Sequence, residues 1–308
     1  MAKIAVLIPC YNEEKTIAKV VQDFKAELPD AEIYVYDNNS GDKTVDEAAR
    51  AGAIVRYEKR QGKANVIRSM LREIEADIYI MVDGDDTYPA DKVKELMKAV
   101  EDGTADMTMG SRLHTESASD FKSLNRFGNK FYLSMLHLIF RVRLTDVLTG
   151  YRAFNRKIAS LPLLSQGFDV EMELTIKTIE NHYRIQEVPV NLVPRPEGSE
   201  SKIRILRDGF IILNALFSIM RDYKPLTAFG LLGIMIVLIG FIPGIVVIRE
   251  YMATKIVARI PMAVLSVGTI LSGLFVIFSG LMLHSTSRRF QELQQQVQRI
   301  LFSRKNPR

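Results

Sequence analysis

Two stretches of this chain, Leu226–Ile248 and Met262–Leu283, contain no charged residue. At about 1.5 Å of rise per residue, each forms a helix long enough to cross a bilayer core of about 30 Å. A buried helix of a soluble protein usually carries a polar residue every turn or two, so the expected reading is a pair of spanning helices. Both runs hold glycines (Gly230, Gly233, Gly240 and Gly244; Gly268, Gly273 and Gly280), which are commoner in spanning helices than in soluble ones. The connection Arg249–Pro261 is short, which makes the pair a hairpin. Arg207, Arg221 and Lys224 precede it, and Arg288, Arg289, Arg299, Arg304 and Lys305 follow it, against Arg249, Lys255 and Arg259 in the connection. The positive-inside rule then puts both termini in the cytoplasm. Met1–Pro9 enters an apolar strand directly, so no N-terminal signal peptide is expected.

The remainder of the 308 residues reads differently. Apolar residues make up 47% of the chain and charged residues 25%, and outside the two runs they are mixed throughout. That excludes a disordered chain and a polytopic membrane protein. A single cysteine, Cys10, excludes an internal disulfide framework and a multi-cysteine zinc site; it is expected as a packed small residue rather than a nucleophile. Four scattered histidines argue against a His-rich metal centre. The net charge of +5 is compatible with nucleic acid, anionic lipid or a phosphorylated substrate. In Lys202–Asp222 the polar residues recur mostly every three or four positions, with Ile205, Leu206, Phe210, Leu213, Leu216, Phe217 and Met220 filling the rest. Such a helix suits the headgroup plane of a membrane; packing on the soluble part is the alternative.

Residues 1–110 alternate strand and helix signals. Strands are expected at Ile4–Ile8, Ile33–Tyr36, Ala53–Arg56, Ile78–Val82 and Met107–Met109. Between them, Ile17, Val20, Val21, Phe24 and Leu28 mark one helical face, and Val66, Ile67, Met70, Leu71 and Ile74 another. Val93, Leu96, Met97 and Val100 mark a third, after a short helix near Val45–Ala49. Alternation of this kind implies an α/β fold with a largely parallel sheet covered on both faces. Ligands then bind beyond the carboxyl ends of the strands, where Tyr11-Asn12-Glu13, Asp37–Ser40 and Asp83–Asp86 fall.

Each cluster has a chemical and a plain reading. Asp83 and Asp85, two apart with Gly84 between, can aim carboxylates at a hard divalent cation such as Mg²⁺; otherwise they form an acidic turn capping the next helix. Asp37 can accept from a base or ribose hydroxyl, or form an Asx-turn. Pro9–Glu13 can hold a base against the Tyr11 ring, or simply turn strand into helix with Glu13 at the helix start. Gly62-Lys63 opens a helix, where a phosphate can bind, but no Walker pattern surrounds it, so an exposed helix-start lysine is expected there. Lys122, Arg126 and Lys130 recur every four residues along a predicted helix, after Ser111-Arg112. Arg195 through Lys202 leads into the amphipathic segment. Cations at membrane level suit a lipid phosphate, and solvated charge is the alternative for each. Nucleic acid is not expected as a partner, because no stacking platform is interleaved with these cations.

Taken in order, Ile8-Pro9-Cys10-Tyr11-Asn12-Glu13, Asp37-Asn38-Asn39-Ser40-Gly41-Asp42-Lys43-Thr44, Asp83-Gly84-Asp85, Gly110-Ser111-Arg112, Asp146 through Thr149-Gly150-Tyr151-Arg152, and Gly198 with Ser201-Lys202 resemble the family 2 glycosyltransferases with the GT-A fold. The branch is similar to dolichol-phosphate mannose synthase and bacterial polyprenyl-phosphate sugar transferases. The resemblance implies a Rossmann-like, mostly parallel sheet at residues 1–201, an interface helix at 202–224, a transmembrane hairpin at 225–286 with spans 226–248 and 262–283, and a basic cytoplasmic tail at 287–308.

It further implies transfer of one sugar, with inversion, from a nucleotide diphosphate sugar to a polyprenyl phosphate at the cytoplasmic face of the cell membrane. Pro9, Tyr11, Glu13 and Asp37 would hold the nucleoside. Asp83, Gly84 and Asp85 would form the diphosphate site, with Asp83 and Asp85 on Mg²⁺ or Mn²⁺. Arg112 and Arg126 would face the acceptor phosphate, and Arg195 and Lys202 would reach the phosphates. Asn38 stands where a second aspartate is common, and Thr87 where many mannose synthases carry glutamine. Without a tryptophan, the signature of processive polysaccharide synthases is excluded. A diacylglycerol or glycan acceptor, and a non-catalytic sugar-nucleotide sensor, are the competing readings. The hairpin could also carry homo-oligomer contacts.

Overall fold

β1 (Ile4–Cys10) is the spine of the sheet, because its side chains are apolar on both faces. Ala5 and Leu7 point to one side and Val6, Ile8 and Cys10 to the other, as the two-residue period of a strand requires. The computed structural model describes residues 2–112, 133–134, 137, 141–163, 170–192 and 224–305. The expected interface helix and the residues Arg126, Arg195 and Lys202 lie outside these. The chain divides into two compact units, 1–203 and 204–308.

In the first unit, β1 pairs in parallel with β2 (Glu32–Asp37) and β4 (Ile78–Met81), and β2 with β3 (Ile54–Tyr57). β5 (Met107–Ser111) pairs in parallel with β7 (Ile185–Pro189). Between β4 and β5 runs β6 (Arg152–Asn155), antiparallel to both. The seven-stranded order is β3-β2-β1-β4-β6-β5-β7. The five expected strands are present within a residue or two of their expected bounds. β6 and β7 carry too little hydrophobic patterning to stand out: one is four residues long and begins with arginine, the other reads Ile-Gln-Glu-Val-Pro.

Helices cover both faces. α1 (Ile17–Glu27), α2 (Thr44–Arg50) and α4 (Val93–Glu101, entered through a short 3₁₀ turn) pack on Val6, Ile8, Val35 and Ile80. α3 (Lys63–Glu73), α5 (Arg156–Ala159) and α6 (Val170–Glu180) pack on Ala5, Leu7, Met81, Met107 and Phe154. Burying each such Leu, Ile, Met or Phe contributes roughly 1.5–3 kcal/mol before entropy is counted.

The second unit contains α7 (Pro225–Thr254) and α8 (Ile260–Lys305), each with a segment long and apolar enough to cross a membrane. They pack on each other through small residues. A Cβ on Gly233 would meet the Gly273 carbonyl at 2.7 Å, and one on Gly273 the Gly233 carbonyl at 2.8 Å. Backbones this close are how apolar helices associate where no hydrophobic driving force separates protein from lipid. Leu231, Leu238, Ile242, Leu271 and Phe275 are exposed on the outer surfaces. The connection is shorter than the charge pattern suggested: Arg249 and Glu250 are still helical, Lys255 ends α7 in the left-handed region, and Ile260 starts α8. Charge marks where a helix would leave hydrocarbon, which is not where it must end.

Candidate active site

Parallel strands put all their carboxyl ends on one edge, so the turns after β1, β2, β4 and β5 share it. β6 runs the other way, so its start belongs to the same edge, and it brings residues 145–151 there. That single antiparallel strand closes the site on one side.

The turns after β1 and β2 are laced together. Ser40 Oγ accepts from the Asn12 amide at 2.9 Å, Asn12 Oδ1 from the Gly41 amide at 2.9 Å, and Thr44 Oγ1 from the Glu13 amide at 2.8 Å. Tyr11 keeps its ring half exposed above them, and Pro9 and Glu13 are partly buried. Asp37 is 4% exposed. Its Oδ2 accepts from the Ser40 amide at 3.2 Å, as an Asx-turn would. Its Oδ1 is buried and accepts from nothing in the described structure. A buried acceptor left unmade costs about 1–3 kcal/mol, and a ligand hydroxyl or N–H would satisfy it.

The turn after β4 is built against β1. Gly84 is required there: a Cβ would lie 2.7 Å from Cys10 Sγ, and the Gly84 carbonyl accepts from Thr16 Oγ1 at 2.7 Å. Asp83 is fixed from two sides. Lys63 Nζ sits 2.6 Å from its Oδ1, and a Cβ on Gly150 would stand 2.5 Å from its Oδ2. Asp85 Oδ1 accepts from Thr87 Oγ1 at 2.6 Å, and Asp86 pairs with Lys19 at 2.8 Å. None of the three aspartates caps the following helix, whose entry residues Pro89 and Lys92 have no side-chain cap.

The turn suits a divalent cation shared with a substrate. Among the described residues, no three His, Cys, Asp or Glu side chains gather into a cage of their own. Mg²⁺ is typically held by one or two carboxylates, with water and substrate phosphates completing its shell, and Asp83-Gly84-Asp85 provides that donor set. Cys10, 3% exposed, is pushed to a higher pKa by burial and then by the Glu13 and Asp37 charges, which disfavours a thiolate.

Lys63 corrects the expectation of an exposed helix-start lysine. It lies between Asp83 and Glu171, 2.5 Å from the latter's Oε1. Burial alone would lower its pKa, but the two carboxylates outweigh burial and raise it, so it is a charged strut at neutral pH. Glu171, on α6, is buried at 5% exposure. No sequence signal singled it out, because it shares a helix with Val170, Met172 and Leu174.

Beyond β5, Arg112 forks onto Asp146, with Nε 2.5 Å from Oδ2 and Nη2 2.9 Å from Oδ1. Burial would lower the Arg112 pKa, but its hydrogen bonds to Asp146 more than offset this and the net shift is upward. Asp146 is fully buried. Its backbone amide and that of Thr145 donate to the Glu187 carboxylate on β7 at 3.0 and 2.8 Å. Arg152, also fully buried, donates to the carbonyls of Thr149 and Val147 at 2.9 Å each, and to Thr175 Oγ1 at 2.7 Å. Burial pulls the Arg152 pKa down to about 10, so it too is charged at neutral pH. Tyr88 Oη accepts from the Gly150 amide at 3.0 Å. Asp146 and Arg152 delimit one of the motifs that carry the resemblance; Glu187 and Tyr88 belong to none of them.

The sequence matches Glycosyl transferase family 2 over residues 5–160. A Haloferax volcanii protein, glycosyltransferase AglJ, is 31% identical over 91% of this chain and 92% of its own. The chain is a family 2 glycosyltransferase. Other relatives of this glycosyltransferase include the dolichyl-phosphate hexose transferase of Haloferax volcanii, 26% identical over 72% of this chain and 95% of that one. The undecaprenyl-phosphate mannosyltransferase of Micrococcus luteus is 26% identical over 71% and 93%. Among solved structures, glucosyl-3-phosphoglycerate synthase of Mycobacterium tuberculosis, crystallised with Mn²⁺, uridine diphosphate and phosphoglyceric acid, superposes with a TM-score of 0.58. It covers 71% of this chain and 78% of its own at 21% identity, so the GT-A fold is shared. The glycosyltransferase thus has the mostly parallel sheet, flanking helices and apolar C-terminal pair expected of it.

Proposed function

We propose that this glycosyltransferase moves one sugar from a nucleotide diphosphate sugar to a polyprenyl phosphate, with inversion, on the cytoplasmic face of a membrane. The observation that carries the reading is the shared sheet edge. It gathers a buried, unsatisfied Asp37 oxygen, a two-aspartate turn and an arginine held by a buried carboxylate, in a chain with two membrane-length helices. The acceptor class is supported by the relatives that act on dolichyl and undecaprenyl phosphate.

In this mechanism Asp37 takes a hydroxyl or N–H of the nucleoside, and Tyr11, Pro9 and Glu13 line its other side. Asp83 and Asp85 would hold Mg²⁺ or Mn²⁺ beside the diphosphate, with Gly84 letting the backbone approach. Such an ion neutralises negative charge on a departing diphosphate. Arg112, braced by Asp146, directs the acceptor phosphate, and Arg126, Arg195 and Lys202 are assigned to the same anionic groups. A phosphate acceptor is already anionic at neutral pH. The protein therefore needs to position its oxygen rather than deprotonate it, and a single displacement inverts the anomeric centre.

The test is product analysis. Membranes carrying the protein are incubated with a panel of sugar nucleotides and undecaprenyl phosphate, and lipid products are weighed by mass spectrometry. A lipid phosphate bearing one hexose is expected, β-linked when the donor is α-linked. Sugar found on diacylglycerol or on a glycan hydroxyl instead would replace the acceptor. Absence of transfer to any lipid with every donor would reject the reading.

A further inference from the structure

The residue after Asp37 has no role in the mechanism above, yet its surroundings are unusually complete. Asn38 is 3% exposed. Its Nδ2 donates to the carbonyls of Glu58 and Arg60 at 2.8 and 2.9 Å, and its Oδ1 accepts from the Gly62 amide at 2.7 Å. One amide orientation alone meets two carbonyls and one N–H. The segment it grips, 58–62, joins β3 to α3. That segment begins beside the nucleoside carboxylate, since the Glu58 amide donates to the Asp37 carbonyl at 3.0 Å. It ends at Gly62, whose φ of +121° places it where only glycine is at ease. The next residue is Lys63, the strut on Asp83 and Glu171. The segment is reinforced by the Glu58 carboxylate, which takes the Arg60 guanidinium and the Ser69 hydroxyl, and by Asn39, whose amide donates to the Lys59 carbonyl at 2.9 Å.

We propose that Asn38 is a positioning residue of the donor site. Its amide fixes the 58–62 segment so that Lys63 emerges where it can hold Asp83, and this couples the nucleoside end of the pocket to the diphosphate end. The inference rests on the nucleotide-sugar reading above. With the partners present in this chain an amide is needed, although an aspartate is common at this position in the family: an aspartate could accept from Gly62, but as a carboxylate it would set an oxygen about where Nδ2 now lies 2.8 and 2.9 Å from two carbonyl oxygens. It could donate to neither.

The test is nucleotide binding by the full-length protein in detergent with Mg²⁺, followed by calorimetry. UDP, GDP, ADP, CDP and dTDP are each compared with their monophosphates. For whichever diphosphate the unaltered protein binds, Asn38→Asp is expected to weaken binding at least about tenfold and the monophosphate less. Asn38→Ala, which adds no charge, serves if Asn38→Asp has lost its cooperative melting transition. The discriminating readout is a double-mutant cycle with Lys63→Met. If Asn38 acts through Lys63, the double variant binds no more weakly than the worse single variant, whereas independent sites would add. Additive losses, or diphosphate binding within about twofold of the unaltered protein, would overturn the proposal with the nucleotide reading intact. If the unaltered protein binds no diphosphate, the nucleotide reading falls and the proposal with it.

Discussion

The two halves of the site are finished to different degrees. On the proposed nucleoside half, made by the turns after β1, β2 and β4, hydrogen bonds run between neighbouring loops and one buried acceptor, Asp37 Oδ1, has no partner in the described structure. On the Arg112 half, made by β5, β6 and β7, Asp146, Arg152, Ser111 and Thr149 are all fully buried; Asp146 takes the Arg112 guanidinium and Ser111 meets the Thr145 hydroxyl, each across 34 residues, and the Thr145 amide donates to Glu187 across 42. Low dielectric makes such a network rigid when it is complete and costly when it is broken. The difference teaches that the first half is shaped to be completed by a ligand, while in the second the network around Asp146 and Arg152 is complete and serves to aim one guanidinium, the neighbouring Tyr151 Oη lying outside it and buried without a partner among the described residues.

The largest expected effect lies on the first half. Asp85→Asn keeps the size and the bond with Thr87 but removes a charge from the proposed cation site. Transfer should fall roughly a thousandfold, about 4 kcal/mol of transition-state stabilisation, with the melting temperature within a degree or two. Turnover within about threefold of the unaltered protein, at metal levels set by a chelator buffer, would break the contrast by showing that the half needs no ion.

A matched pair of substitutions sharpens it. Arg152→Met leaves the Val147 and Thr149 carbonyls and the Thr175 hydroxyl without their donor in the core. At about 1–3 kcal/mol for each unsatisfied group, partly relieved by relaxation, a net cost of roughly 3 kcal/mol is expected, or a fall of about 6–12 °C in a domain of this size. Arg60→Met on the other half removes an exposed guanidinium from the buried Glu58 carboxylate, which keeps the Arg60 amide and the Ser69 hydroxyl as donors, so a smaller cost of about 1–2 kcal/mol is expected. Equal shifts in thermal melting would mean that the two halves are not built differently after all.

These halves were also unequally legible. On the nucleoside half, short continuous apolar runs ended in turn residues, and the strand-end positions of Asp37, Asp83 and Asp85 followed from topology alone. The Arg112 half hid its architecture because its contacts are long-range. β6 is too short to show a period, Glu171 and Glu187 sit in otherwise ordinary elements, and an antiparallel strand inside a parallel sheet has no local signature. Lys63 was misjudged for a related reason. Its burial is set by Asp83 and Glu171, 20 and 108 positions away in sequence, and nothing in Gly62-Lys63 announces them.

Gly150 is where the halves touch, so it tests whether they are separable. Gly150→Ala would put a Cβ 2.5 Å from Asp83 Oδ2, closer than van der Waals contact allows. Asp83 must then shift while Arg152 keeps its partners. Turnover should fall about tenfold, close to 1.4 kcal/mol, with weaker diphosphate binding and little change in melting. A variant that instead melts early and binds diphosphate normally would assign Gly150 to the Arg112 network rather than to the junction.

The smallest effect is expected in the hairpin, where a polar contact has the least to offer. Ser266 Oγ donates to the Gly240 carbonyl at 2.7 Å across the α7–α8 interface, one turn before Pro243 interrupts the amide ladder of α7. In hydrocarbon such a bond would be expected to matter more than in water, yet interhelical hydrogen bonds in membranes average only about 0.6 kcal/mol, because a separated helix finds other partners. Ser266→Ala should therefore cost about that much in a detergent unfolding titration. Ser266→Leu should cost several times more, since Gly244 approaches Ser266 so closely that a Cβ there would lie 2.6 Å from Oγ and leaves no room for a branched side chain. If the alanine variant were as damaging as the leucine one, the hairpin would be held by its hydrogen bond, as the Arg112 half is, rather than by the fit of small residues.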